Sequence, residues 1–97
     1  MTSFVRSYLA TAPTDQRAAW QQLTPGFQRE SGGFSSYQGF WSTISTASVS
    51  GATADTKALT VSYDVSYTKK SGGGDFRDSV TLRLSYDDGR YLIQGEA

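Results

Sequence analysis

Apolar residues follow two rhythms along this chain, a helical one of about 3.6 residues in the first half and a strand-like one of about 2 in the second. Phe4, Val5, Tyr8 and Leu9 lie at i, i+1, i+4 and i+5, one stripe of an amphipathic helix over Thr2 to Ala12, with Arg6 and Ser7 on the other side. Pro13 cannot extend that helix, and Thr14 or Asp15 is placed to cap a second one, Gln16 to Leu23, whose apolar face holds Ala19, Trp20 and Leu23. Thr24, Pro25 and Gly26 then interrupt the pattern. Phe27 adds one buried anchor, and Gln28 to Gly33 reads as a turn of helix dissolving into a Gly-Gly loop. Ser35 followed by Gln38 fits a capping box, so a third helix is expected from Ser35, with Tyr37, Phe40 and Trp41 forming one aromatic face.

From Ser42 the residues become small or β-branched. Ile44 to Ala54 is expected as a weakly alternating strand with Val49 as its main apolar point. The alternation is cleaner from Leu59: Leu59, Val61, Tyr63, Val65 and Tyr67 share one face, Thr60, Ser62, Asp64, Ser66 and Thr68 the other. Lys69 to Gly74, KKSGGG, is a polar hairpin loop. Phe76, Val80, Leu82, Leu84 and Tyr86 then resume the inward pattern. If the loop closes symmetrically, Tyr67 faces Phe76, Tyr63 faces Val80 and Val61 faces Leu82, so the large apolar pairs land on one face. Asp87, Asp88 and Gly89 make a tight turn that returns Tyr91 and Ile93 opposite Tyr86 and Leu84. The expected fold class is α+β: three N-terminal helices packed on the apolar face of a curved four-stranded antiparallel meander, a cone with its wide end partly open.

Composition narrows the chemistry. Ninety-seven residues correspond to one domain, residues 1–97, and the absence of cysteine and histidine removes disulfides, thiolate metal sites and imidazole catalysis. Nine basic and nine acidic residues cancel and are scattered, so no basic stripe serves nucleic acid or an anionic membrane. No apolar run approaches the roughly 18 residues of a membrane span, and Met1 to Ala12 lacks the pattern of a signal peptide.

The order of elements, with the stretches FVRSYL, AAWQQLTPGFQ, GGFSSYQGFWSTIS, LTVSYDVSY and DDGRYLI, resembles the nuclear transport factor 2-like superfamily of cone-shaped α+β domains. More narrowly, AAWQQLTPGFQ, GGFSSYQGFW and DGRYLI are similar to the small extracytoplasmic modules of receptor-type Ser/Thr protein kinases and related membrane proteins in actinobacteria. Trp20, the run Leu23, Thr24 and Pro25, and the pair Phe40 and Trp41 carry that likeness, while Tyr91 stands where those modules commonly have Trp. The resemblance implies a non-enzymatic sensor or docking module outside the membrane, tethered by a segment absent from this chain and binding a small ligand or a partner protein at the open end of the cone.

Three kinds of candidate chemistry accompany that expectation. The many serines have no imidazole to activate them, and Lys57, Lys69 and Lys70 fall in expected turns. Asp78 is the one charged residue on the inward alternation of its strand, between Phe76 and Val80. It is either a base in an apolar cone, as an acidic residue is in isomerases of the superfamily, or a residue at the open mouth meeting water or Arg77. Tyr37, Trp41, Tyr63, Tyr67 and Tyr91 join Asp78 as candidate ligand-binding residues, since ligand pockets are concave and aromatic with few polar groups; Trp20 and Phe40 are assigned to the core. No spaced oxygen cluster suggests a metal, and no cofactor is implied. The outer face, Thr60, Ser62, Asp64 and Ser66 with Ser79, Thr81, Arg83 and Ser85, is either solvated or the face of a homodimer. Alternatives to the sensor are therefore a small isomerase- or hydratase-like enzyme using Asp78, or a purely structural dimerisation domain.

Overall fold

The change in rhythm at residue 42 becomes a change of layer. The computed structural model describes residues 1–72 and 75–97, so the end of the expected KKSGGG loop lies outside the described residues. The helical layer comprises α1 (Thr2–Thr11), α2 (Gln16–Trp20), α3 (Pro25–Glu30) and α4 (Phe34–Trp41); the sheet comprises β1 (Ile44–Asp55), β2 (Thr60–Lys69), β3 (Asp75–Asp87) and β4 (Arg90–Glu96). The fold is α+β, with four helices among the described residues and an open antiparallel sheet in the order β1-β2-β3-β4.

Four helices replace the expected three because the Thr-Pro-Gly interruption is also a helix start. The Thr24 side chain accepts a hydrogen bond from the Phe27 N–H at 3.2 Å, and Pro25 occupies the first turn, where its missing N–H leaves no donor unsatisfied. The same segment shortens α2, which ends at Trp20 rather than Leu23. Leu23 forms a parallel bridge to Ile93: the Ile93 N–H donates to the Gln22 carbonyl at 2.8 Å, and the Thr24 N–H donates to the Ile93 carbonyl at 2.9 Å. These two bonds pull the chain out of helical geometry and stitch the helical layer to the edge strand β4. At the other end of α2, Asp15, one of the two expected candidates, is the cap, accepting from the Ala18 N–H at 3.1 Å. The capping box at Ser35 does not form. α4 begins one residue earlier, after Gly33 at φ +94°, which puts Ser35 inside the first turn, and no side chain caps it.

The sheet register follows the alternation. Tyr67 pairs with Phe76, Tyr63 with Val80 and Val61 with Leu82, then Tyr86 with Tyr91 and Leu84 with Ile93. Asp88 and Gly89 make the two-residue β3–β4 turn with φ of +50° and +76°, the positive values that a turn matching strand twist requires. Leu59 does not open β2. It sits just before it at φ +55°, its carbonyl accepting from the Leu84 N–H at 2.7 Å. Register shifts interrupt β1 between Ile44 and Thr46 and between Ser50 and Thr53, and β3–β4 between Arg83 and Leu84; each adds twist and bends the sheet around the helices.

The core lies between the layers. Val5, Tyr8 and Leu9 of α1 are buried, as the stripe requires, against Ile44 of β1 and against Val61, Val65, Leu84 and Ile93 of the inner sheet face. Removing a Thr cap costs about 1 kcal/mol. Thr24→Ala should therefore lower the unfolding free energy by about that amount in urea titration with an unchanged slope, and Thr24→Ser should restore most of it.

Candidate functional site

Pleat geometry places every second side chain of β2 and β3 beneath the helices, and those side chains are mostly tyrosine or branched aliphatics. Because α4 brings Tyr37 and Trp41 down from above, aromatic rings meet from both layers without filling the space between them. A cavity of about 370 Å³ remains, open to solvent on one side. Its floor is Tyr63, Tyr67 and Val80, its roof Tyr8, Tyr37 and Trp41. Phe40, Phe76, Asp78 and Glu96 also line it, all of them exposed residues and so at its mouth.

The rings form a connected set. Trp41 meets Tyr8 edge-on at 6.3 Å and Tyr67 at 5.9 Å, Phe40 meets Trp41 at 5.1 Å, and Tyr67 stacks on Phe76 at 4.8 Å. Edge-to-face and offset contacts of this kind each add about 0.5–1.5 kcal/mol beyond area burial and hold ring orientation. Behind them Trp20 packs on Tyr37 at 5.1 Å and on Phe34 at 5.5 Å, and the Arg17 guanidinium lies 4.4 Å over Phe34. Trp20 is thus a buttress of the cavity wall. Phe40, assigned to the core on sequence, is 44% exposed. It sits on the outer flank of α4, where it serves as one lip of the opening.

Polar groups inside are few, and two of them are paired. The Tyr8 and Tyr37 hydroxyls share a hydrogen bond of 2.7 Å, closing the roof. Burial raises the Tyr8 phenol strongly, and the adjacent Tyr37 adds to it. Burial pushes Tyr37 up to about 12, offset in part by the bond from Tyr8, which would stabilise a Tyr37 phenolate. Tyr63 is raised by burial and then by Tyr67, Glu96 and Asp78; Tyr67 is raised by burial and then by Asp78 and Glu96. The cavity is therefore lined by neutral phenols.

Asp78 is exposed at the mouth and lies opposite Val65 in the register, between Tyr63 and Tyr67. Its Oδ1 accepts from the Ser79 N–H at 2.9 Å. Sequence reasoning did not find Glu96. Strict alternation from Ile93 sends residue 96 to the outer face, but the irregularity in β4 sets Gly95 opposite Arg83 and Glu96 opposite Leu82, on the cavity side. A glycine inside the strand was the available sign of that bulge. Tyr8 was read as core alone; a hydroxyl on the apolar stripe of α1 is the clue to its second role.

Five of the six candidate residues, Tyr37, Trp41, Tyr63, Tyr67 and Asp78, come together at this cavity. Tyr91 does not. It lies at the opposite end of the sheet, beside the β3–β4 turn, 4.7 Å from Tyr86 and 5.8 Å from Phe4. On the outer face Ser79 donates to Asp64 at 2.7 Å and Ser62 bonds Thr81 at 2.8 Å, so Asp64 is a cross-strand partner.

No family model, curated protein or solved structure matches this chain.

Raised phenol values make the fold sensitive to alkali. Each cavity tyrosine keeps its proton in the folded state at a pH where it would lose it unfolded, so its contribution is fully present below about pH 10 and is lost as pH climbs from there through about 12 for Tyr37. In an alkaline titration, phenolate absorbance from the cavity tyrosines should rise in the same step that abolishes near-ultraviolet circular dichroism. Ionisation of all six tyrosines near pH 10 with the fold intact would contradict this burial.

Proposed function

We propose that this chain is a non-enzymatic binding module that holds a small, mainly apolar ligand in the aromatic cavity. The observation that carries the reading is the cavity itself: about 370 Å³, walled by phenols and indole on rigid elements and reached through a mouth between Phe40 and Phe76. Small-molecule sites have this size, this apolar lining and this small number of polar groups. Tyr hydroxyls that stay protonated supply hydrogen bonds for orientation without supplying charge.

Catalysis by Asp78 is the weaker reading. A carboxylate serving as base in such a cavity needs removal from water, whereas Asp78 is exposed and one of its oxygens is engaged by the Ser79 N–H. A purely structural role would favour a filled interior over one that leaves room for a ligand.

The setting we propose comes from the likeness of AAWQQLTPGFQ, GGFSSYQGFW and DGRYLI to extracytoplasmic modules of actinobacterial receptor-type Ser/Thr kinases. There the chain would be a sensor ectodomain with a nuclear transport factor 2-like cone, and ligand capture would be its input. The polar outer sheet face remains available for a second copy in such a receptor.

A neutral apolar dye tests the cavity directly. N-phenylnaphthylamine should bind at one dye per chain with enhanced fluorescence, and Val80→Trp, which adds bulk to the floor, should abolish the enhancement while leaving far-ultraviolet circular dichroism unchanged. Failure of the dye to bind the unmodified chain, or full binding by the filled variant, would count against a ligand in this cavity.

A further inference from the structure

Building on that reading of the cavity, we propose that its ligand is an organic ammonium ion, with the positive head at Asp78 and Glu96 and the apolar body against Tyr67, Phe76 and Trp41. The ionisable groups along the lining are of one kind. Besides phenols there are two carboxylates, and among the described residues neither lysine nor arginine contributes to the wall. An anionic ligand would meet two carboxylates at the entrance, against the single Lys69 ammonium over Phe76, and a neutral one would leave the carboxylates unused.

The two carboxylates reach the mouth by independent routes. Asp78 lies on the inward alternation of β3, whereas Glu96 is carried inward by the bulge that shifts β4 by one residue. Both line the same cavity as Tyr63 and Tyr67, which places them over one floor. Between them and the interior stand ring faces: Tyr67 and Phe76 are stacked with centroids 4.8 Å apart, and Trp41 closes the set behind Tyr67 at 5.9 Å. Aromatic faces attract ammonium groups through the ring quadrupole, and aromatic walls with a carboxylate at the entrance are how proteins hold alkylammonium ligands.

The molecule already shows this preference on its own surface. The Lys69 ammonium lies 5.4 Å over the Phe76 ring, although Lys69 is not part of the lining. Phe76 thus accepts a cation on an exposed ring at the cavity edge. A ligand ammonium that displaces Lys69 from this ring gains two carboxylates beside it. The apolar walls and a volume of about 370 Å³ limit the body to a small aryl or alkyl group rather than a polyamine, whose further charges would sit among phenols and aliphatic side chains.

Three probes with the same phenyl body separate charge from apolar fit: phenethylammonium, 2-phenylethanol and 3-phenylpropanoate, titrated at low salt by calorimetry and by chemical-shift change at Trp41 and Tyr67. The ammonium should bind about tenfold more tightly than the alcohol, the sum expected of a cation on rings with partly screened carboxylates. The carboxylate probe should bind more weakly than the alcohol. Asp78→Asn with Glu96→Gln should bring the ammonium down to the level of the alcohol and leave the alcohol unchanged. Equal affinity for ammonium and alcohol on the unmodified chain overturns the charge assignment while the cavity remains a binding site. Absence of binding by all three, with no shift at Trp41 or Tyr67, overturns the cavity reading as well. Should the double variant lose its fold, the comparison on the unmodified chain decides by itself.

Discussion

The pairing of β2 with β3 is the constraint from which the other features descend. Because side chains alternate strictly across a sheet, the single choice that sets Tyr63 against Val80 and Tyr67 against Phe76 also decides that Val61, Val65 and Leu82 point toward the helices and that Ser62, Asp64, Ser79 and Thr81 point away. A slip by one residue would put hydroxyls and carboxylates under α1 and α4 and rings in water. The outer face reinforces the choice, since Ser62 with Thr81 and Asp64 with Ser79 form hydrogen bonds only in this register. Helix placement then follows: α1 covers β1, α4 brings Tyr37 and Trp41 over β2, and the segment before α3 fastens to β4 through Ile93.

Aromatic side chains do two jobs in this interior, and the tension between them leaves the cavity. Large rings give a short chain enough apolar area to stabilise one core. They are also stiff, and rings meeting edge-on or at a tilt, as Tyr8, Tyr37, Trp41 and Tyr67 do, cannot close the last gaps as Leu or Met would. The hydroxyls sharpen the effect. A tyrosine needs a partner or water, so Tyr8 and Tyr37 satisfy each other while Tyr63 and Tyr67 turn toward the opening.

What could be foreseen from sequence divides along physical lines. Period-2 alternation is a local and strong signal where one face is buried, and the β2–β3 register and the pairing of Leu84 with Ile93 followed from it, while the turn at Asp88 and Gly89 followed from its turn-forming residues. A helix cap at Thr14 or Asp15, which the structure assigns to Asp15, was equally local. The features that escaped depend on contacts distant in sequence. Leu23 leaves its helix because Ile93, seventy residues later, offers a donor and an acceptor. Thr24 and Pro25 were read as an end when the same residues also make a beginning. Phe40 belongs to an aromatic helical face, yet only the position of Tyr67 and Trp41 decides which ring of that face stays at the rim. Five of the candidate binding residues converge because they share the inward face of one sheet or the underside of α4. Tyr91 shares that face too, but at its other end, and alternation carries no information about position along a strand.

The bulge near the end of β4 helps to set what the cavity presents to a ligand. The electrical character of the entrance depends on a backbone irregularity as well as on residue identity: between Ile93 and Glu96 the strand carries one residue more than its partner needs, and the bulge absorbs it. Were Gln94 and Gly95 to run as regular strand, alternation would turn the Glu96 carboxylate to the opposite face and halve the negative charge at the entrance with every other wall residue intact. One irregular step in an edge strand therefore decides how much negative charge stands over the aromatic interior.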